Sequence, residues 1–298
     1  MLGIELDETQ VTAVAVDDQG GVLARAQVDA GGNLGAAADR AIEQVQAASG
    51  GAPPARLGIA AINPDAAAIA PIVSHLAHRF GASFGSHAAV LSGTAAAAAE
   101  AWVGAARGVK DVVYFAVAQH ATGGLVRDGA AIGGARGRAG FMAWLSLNPV
   151  EREDYRKIGC LEAEVAAAGI VRRLIWRIKA GDRSRVQDVI KDDLSAITVD
   201  HVLDAARTGD GVSISVVRDT AKYLGMAAAN LVVVADPEIL VLGGIMASAA
   251  DLLIEPIRIE ITRRLPRAMM DALRIETAVL GSDAAAIGAA RLVAAAAP

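Results

Sequence analysis

The six residues Glu5-Leu6-Asp7-Glu8-Thr9-Gln10 place three carboxylates and a hydroxyl in one short stretch. An apolar run ends at Leu6 and the next, Val11–Val16, begins almost at once, so the polar residues form the turn of a hairpin. Such a turn holds phosphate when glycine N–H groups and a small hydroxyl line it. Here phosphate meets Asp7 and Glu8 and no glycine, and only Thr9 is of the right type. One like charge at ~4 Å costs about 1 to 4 kcal/mol. Two of them offset much of the roughly 4 kcal/mol that millimolar nucleotide binding represents. A magnesium ion bridging Asp7 and Glu8 to phosphate is the alternative chemistry.

The strands that hold this turn open an α/β pattern. Asp17-Asp18-Gln19-Gly20-Gly21 turns the chain into a third strand, Val22 to Val28, which completes a meander. The spacing then predicts a helix over Leu34–Ala48, a buried strand over Arg56–Ile62, a helix over Ala68–Phe80 and a short strand over Ala88–Leu91. Ser92 or Thr94 is the expected N-cap of an alanine-rich helix reaching about Ala106. A second meander starts at Asp111, with strands Val112–Val117, Gly123–Arg127 and, after an Asp128-Gly129 turn, Ala130–Ile132. Helices fill Leu161–Ala235, and the charged stretch Lys179–Asp193 reads as a solvated helix face or loop. A strand over Ile239–Leu242 ends in Gly243-Gly244, followed by a helix over Asp251–Leu265, a strand over Ile275–Val279 and a last helix from Ala284.

One meander followed by helices and further strands therefore occurs twice. This suits an α/β, two-domain actin-like (hexokinase/ribonuclease H-like) ATPase fold with a central cleft, although a single doubly wound domain shows similar alternation. The expected domains are residues 1–107, completed by the terminal helix 284–298, and residues 108–281.

Composition narrows the class without naming a function. The net charge of −5 argues against a nucleic-acid partner. Cys160 is the single cysteine, which excludes an intramolecular disulfide and fits a reducing compartment. No charge-free stretch near 20 residues occurs; Leu231–Ala250 comes nearest and is broken by Asp236-Pro237-Glu238. With no signal-peptide pattern at the N-terminus, the expectation is a cytoplasmic protein that binds neither membrane nor nucleic acid.

Several stretches, in order along nearly the whole chain, resemble the ROK family of bacterial sugar kinases and sugar-responsive repressors. They are Ala101-Trp102-Val103-Gly104-Ala105-Ala106-Arg107-Gly108, Gly123-Gly124-Leu125-Val126 with Asp128-Gly129, and Gly137-Arg138-Ala139-Gly140. Gly159-Cys160-Leu161-Glu162, Asp236-Pro237-Glu238-Ile239-Leu240-Val241-Leu242-Gly243-Gly244 and Leu280-Gly281-Ser282-Asp283-Ala284 continue the series. The chain starts directly at the first strand, so it resembles the stand-alone kinase branch rather than the repressor branch.

The resemblance implies a site and, position by position, its loss. The family's Asn-Asp-Ala-Asn run falls on Leu91-Ser92-Gly93-Thr94, so the catalytic base position is Ser92 and no catalytic residue is expected there. The second phosphate loop falls on Ala118-Gln119-His120-Ala121-Thr122, where side chains replace glycines. By position, Thr9, Gly123, Gly124, Gly243 and Gly244 would face a nucleotide, and Glu162, Thr94 and Trp144 a sugar. Phe141 and Trp144 replace a sugar-binding glutamate and a histidine that serves both sugar and zinc; they read as filling that pocket, with stacking of Trp144 on a sugar as the alternative. The zinc knuckle is reduced to Glu153–Cys160 with one thiol, so no metal is expected and other contacts must hold the loop. The resemblance, with these losses, implies a pseudokinase without cofactor, a homodimer, serving a small sugar ligand or a protein partner. The alternative is an ATP-Mg-dependent kinase for glucose or an N-acylhexosamine that uses His87, His120 or Glu162 as base.

Overall fold

The computed structural model describes residues 1–50, 56–80 and 89–295. Strands β1 (Leu2–Leu6), β2 (Gln10–Val16) and β3 (Val22–Asp29) form an antiparallel meander. After helix α1 (Leu34–Ala48), strand β4 (Leu57–Ala61) pairs parallel with β1. Helix α2 (Ile69–Phe80) and strand β5 (Val90–Leu91) follow, and β5 runs without a break into α3 (Ser92–Trp102). The first sheet has the order β3-β2-β1-β4-β5.

The second half repeats the plan. Strands β6 (Val112–Val117), β7 (Ala121–Arg127) and β8 (Ala130–Ala131) form the meander. Helices α4 (Glu153–Ile158), α5 (Cys160–Val165), α6 (Ala167–Lys179), α7 (Val186–Val189), α8 (Val199–Arg207) and α9 (Gly211–Ala235) come next. Strand β9 (Ile239–Gly244) then pairs parallel with β6. Helices α10 (Ile245–Ser248), α11 (Ala250–Thr262) and α12 (Arg267–Ala272) lead to strand β10 (Arg274–Thr277), and the order is β10-β9-β6-β7-β8. In each sheet a three-strand meander carries two further parallel strands beyond its first strand. The chain is thus a duplicated α/β unit and not one doubly wound sheet.

Burial explains the sequence of these strands. The central strands β4 and β6 are buried along their whole length and read as nearly continuous apolar runs. Edge strand β3 alternates between exposed and buried residues.

The last helix, α13 (Ala284–Ala295), lies on the first sheet, and small residues make that possible. A Cβ added at Gly3 or Gly58 would run into the backbone of Ala286 or Ala289, and one at Gly288 into the carbonyl of Ala95 on α3. Helix α3 in turn packs Ala96 and Ala97 against Val112, Tyr114 and Val126 of the second sheet. The pair α3–α13 therefore sits between the two sheets, and alanine is common there because backbones approach so closely.

Helix α3 departs from the sequence expectation at both ends. Its N-cap is Leu91, and neither Ser92 nor Thr94 caps it, because β5 passes straight into helix. It stops at Trp102 rather than near Ala106. There the buried Glu100 carboxylate accepts the N–H of Ala105 (2.7 Å) and those of Val279 (3.0 Å) and Leu280 (3.1 Å), tying the helix end to the chain after β10.

Candidate functional site

The β1–β2 turn is closed by its own acid. Asp7 Oδ1 accepts the N–H of Thr9 (2.9 Å) and the Thr9 hydroxyl (2.8 Å). The backbone closes across it, with Asp7 N–H donating to Gln10 O at 3.0 Å. The two Thr9 donors that suit a phosphate are thus held by a carboxylate of the chain.

The β6–β7 turn is a tight hairpin in which Val117 pairs with Ala121 and Ala118 N–H donates to His120 O at 2.9 Å. Glu162, in the first turn of α5, braces it. Its Oε2 accepts Ala121 N–H (2.9 Å) and its Oε1 meets His120 Nδ1 (3.2 Å). The hydrogen bond to Glu162 is the main reason the His120 imidazole sits above its ordinary pKa; burial opposes it, and Asp7 and Glu8 add to it. The glutamate expected at a sugar is therefore also the anchor of this hairpin.

Gly123 and Gly124 are occupied by packing. A Cβ at Gly93 would collide with the Gly123 backbone, one at Gly124 with the Gly93 carbonyl, and one at Gly123 with the thioether of Met142. The N-terminal turn of α3 thus rests directly on β7. Gly243 and Gly244 belong to β9 and pair with Ala116 and Val117. Gly244 has φ +62° and no space for a Cβ beside the Val117 carbonyl. A Cβ at Gly243 would lie 2.8 Å from the Tyr114 hydroxyl.

Ser92, expected from the resemblance at the base position, is 3% exposed, and its hydroxyl has no well-formed hydrogen bond. It lies beside Glu5 at the end of β1. Burial pushes the Glu5 carboxyl up to about 7; Ser92 and His120 hold it down, while Asp7 and Asp283 raise it further. The structure thus brings Glu5, Asp7, Ser92, His120 and Glu162 into one neighbourhood. Sequence reasoning counts Glu5 in the Glu5–Gln10 stretch but gives it no role; the signal that marks it is a carboxylate within an otherwise apolar strand, Leu2–Leu6.

Other expected residues lie elsewhere. Thr94 is buried, and its hydroxyl points toward Ala139 O at 3.4 Å. Trp144 does not fill a pocket: the short 3-10 turn Met142–Trp144 buries Met142 and Ala143 and leaves Trp144 49% exposed, while Phe141 is half-buried. Met142 is the side chain that packs inward, against Gly123. His87 lies outside the described residues. Arg138 forms an ion pair with Asp65 (2.6 Å), joining the loop after β8 to the loop after β4.

A charged and aromatic cluster stands where the zinc knuckle is reduced. Cys160 is buried at the start of α5, and no group of three or more metal-ligating side chains occurs among the described residues. Glu164 accepts from Arg152 (3.2 Å), from the Tyr155 hydroxyl and from Arg173 (3.3 Å), while Asp154 pairs with Arg152 (2.9 Å) and Arg172 (2.6 Å). The Arg152 guanidinium lies 5.1 Å from the ring centres of both Tyr155 and Trp176. Burial and then Glu164 push the Tyr155 hydroxyl up to about 12, so it stays a donor. This network holds α4 and α5 together, and with them Glu162.

A family model described as the ROK family matches residues 1–296. The chain belongs to the ROK family. It is 33% identical over 201 residues to a glucokinase of Halalkalibacterium halodurans, covering 66% of this chain and 60% of that protein. It is 28% identical to a xylose repressor of Caldicellulosiruptor bescii, covering 67% of this chain and 50% of the repressor. A bifunctional enzyme NanE/NanK of Brucella melitensis is 32% identical over 234 residues, 78% of this chain and 40% of that enzyme. The chain thus spans about half the length of the curated relatives it matches.

Solved ROK structures share the fold. A glucokinase of Streptomyces griseus in complex with glucose and AMPPNP superposes with a TM-score of 0.81 at 22% identity over 99% of both chains. A ROK transcriptional regulator, a homologue of the Escherichia coli MLC protein, gives 0.80 at 21% identity over 99% of this chain and 78% of that one. The two-domain actin-like fold expected from the sequence is the fold of these proteins. Among the described residues no helix is long and apolar enough to cross a membrane.

Proposed function

We propose that this ROK protein binds an uncharged, sugar-class ligand in its cleft and does not transfer phosphate to it. The observation that carries this reading is the β1–β2 turn, where Asp7 holds both Thr9 donors in the place of a phosphate. Gly93 seated on Gly123 and Gly124 supports it, because backbone packing takes up the two glycines that were expected to face a nucleotide. Bare nucleotide phosphate is a poor fit to a turn carrying Asp7 and Glu8, and zinc to a lone buried thiol.

The groups left in the cleft suit hydroxyls. Near neutral pH the Glu5 carboxyl is partly protonated and both donates and accepts, and the buried Ser92 hydroxyl beside it has no other partner among the described residues. A sugar is the ligand class that several relatives carry in their names. Such a protein serves as a sensor or a regulatory subunit. Assembly as a homodimer in the cytoplasm completes the proposal, with exposed Val233 and Val234 on α9 as apolar surface for a partner.

A second reading rests on the His120–Glu162 pair. An imidazole backed by a carboxylate is a general base, so an atypical kinase for glucose or an N-acylhexosamine would use His120 in place of Ser92. A thermal-shift screen of hexoses and N-acylhexosamines, each with and without ATP-Mg, separates the two. A ligand at 100 times its Kd stabilises a fold by about 2.7 kcal/mol, which a melting curve resolves. The expected result is a sugar-only shift. Sugar-dependent ADP release that disappears in His120→Asn establishes the second reading, and silence from every sugar rejects the first.

A further inference from the structure

On the far side of α3 from Ser92 lies a cavity of about 850 Å³, within the range of small-molecule sites. One wall is the edge of the first sheet, with Leu57, Ile59 and Val90; the opposite wall is the β8 edge of the second, with Ala130 and Ala131. Between them lie one face of α3, including Ala98 and Trp102, and the last turns of α13, including Leu292 and Val293. The side chains that line its body are mostly apolar, and Thr94 is also among them. Its charged lining residues are Arg107, Lys110 and Arg291, and no carboxylate lines it among the described residues.

These cations are available. Arg107 and Lys110 are exposed, and none of the three forms an ion pair among the described residues. The Arg291 guanidinium instead lies over the Trp102 ring, 4.9 Å from its centre. A largely apolar chamber whose charged side chains among the described residues are all cationic is complementary to a molecule with an apolar body and one anionic end. Of the residues expected at nucleotide or sugar, Thr94 alone borders it; Glu5, Asp7, Ser92, His120 and Glu162 do not.

We propose that this cavity is a second ligand site, which binds an organic carboxylate with an apolar body, its acid held by Arg107, Lys110 and Arg291. The site touches both sheets and α3, the helix that begins with Ser92, so its ligand contacts the elements that position the cleft.

The test is calorimetric titration of the full chain with decanoate and with 2-naphthoate, for linear and aromatic bodies, alongside neutral decanol. Trp102 fluorescence reports where binding occurs, and Trp102→Phe identifies its share of the signal. The expected result is binding of at least one acid, with decanol at least tenfold weaker. Arg291→Ala and the exposed-site variant Lys110→Gln should each weaken the acid about tenfold while the melting temperature stays near that of the parent. Equal affinity for decanol and decanoate, unchanged affinity in both variants, or no binding of either acid up to 1 mM overturns the proposal. None of the probes is a hexose or a nucleotide, so the outcome is independent of the cleft reading.

Discussion

Glu164→Gln lowers the unfolding free energy by about 3 kcal/mol, the scale of breaking a buried ion pair. Glu164 is 7% exposed at its side chain and faces Arg173, itself 15% exposed, together with Arg152 and the Tyr155 hydroxyl. An amide removes the charge that both guanidinium groups were buried against, and no other carboxylate is bonded to Arg173 among the described residues. Urea denaturation at pH 7 measures the loss as a lower midpoint at unchanged slope. Because this network holds α4 against α5, Glu162 loosens its grip on His120 in the variant. A loss below 1 kcal/mol would mean that solvent replaces Glu164 and that the α4–α5 wall is held in another way.

Glu5→Gln has the opposite sign and depends on pH. The Glu5 carboxyl titrates at about 7 in the folded chain against an ordinary 4.5, chiefly because it is buried. Between those values the folded chain keeps a proton that the unfolded chain has released, so stability falls as pH rises through that window and levels off above about 7. Glutamine removes this term. It should raise stability by less than about 1 kcal/mol at pH 5 and by about 2 to 3 kcal/mol at pH 8, scaled down slightly for the partial exposure of the residue. His120 acts in the same direction, since its raised pKa gives stability that is present below about 6.5 and lost above its folded value. The slope remaining in Glu5→Gln therefore belongs to His120 and its neighbours. A gain equal at pH 5 and pH 8 would mean that the carboxyl is not held protonated.

The architecture is legible in the sequence because its signals are local. Apolar runs separated by short polar turns, most of them carrying Asp or Gly, mark the meanders, and their recurrence marks the duplication. The Leu34–Ala48 helix matches its expected span, with Asn33 capping Ala36 N–H. The start of α3 escapes a cap-based reading because cap residues signal a helix only when the chain enters from a loop, and here β5 leads straight in. The acidity of Asp7 is visible in the sequence, whereas its bond to Thr9 is a matter of turn geometry. His120 and Glu162 are 42 residues apart, and nothing local pairs them. Size alone directs Trp144 inward, but the turn at Met142–Trp144 decides which side chains face the core.

Calorimetric titration of ATP-Mg into the wild-type protein, with and without saturating glucose, most directly tests whether this ROK cleft has given up phosphate. With Asp7 on the Thr9 donors and β7 packed under α3, the expected trace is heat of dilution alone, and no Kd below the millimolar range. A micromolar Kd with release of ADP on adding glucose would contradict it, and would make the β1–β2 turn a phosphate site despite its carboxylates.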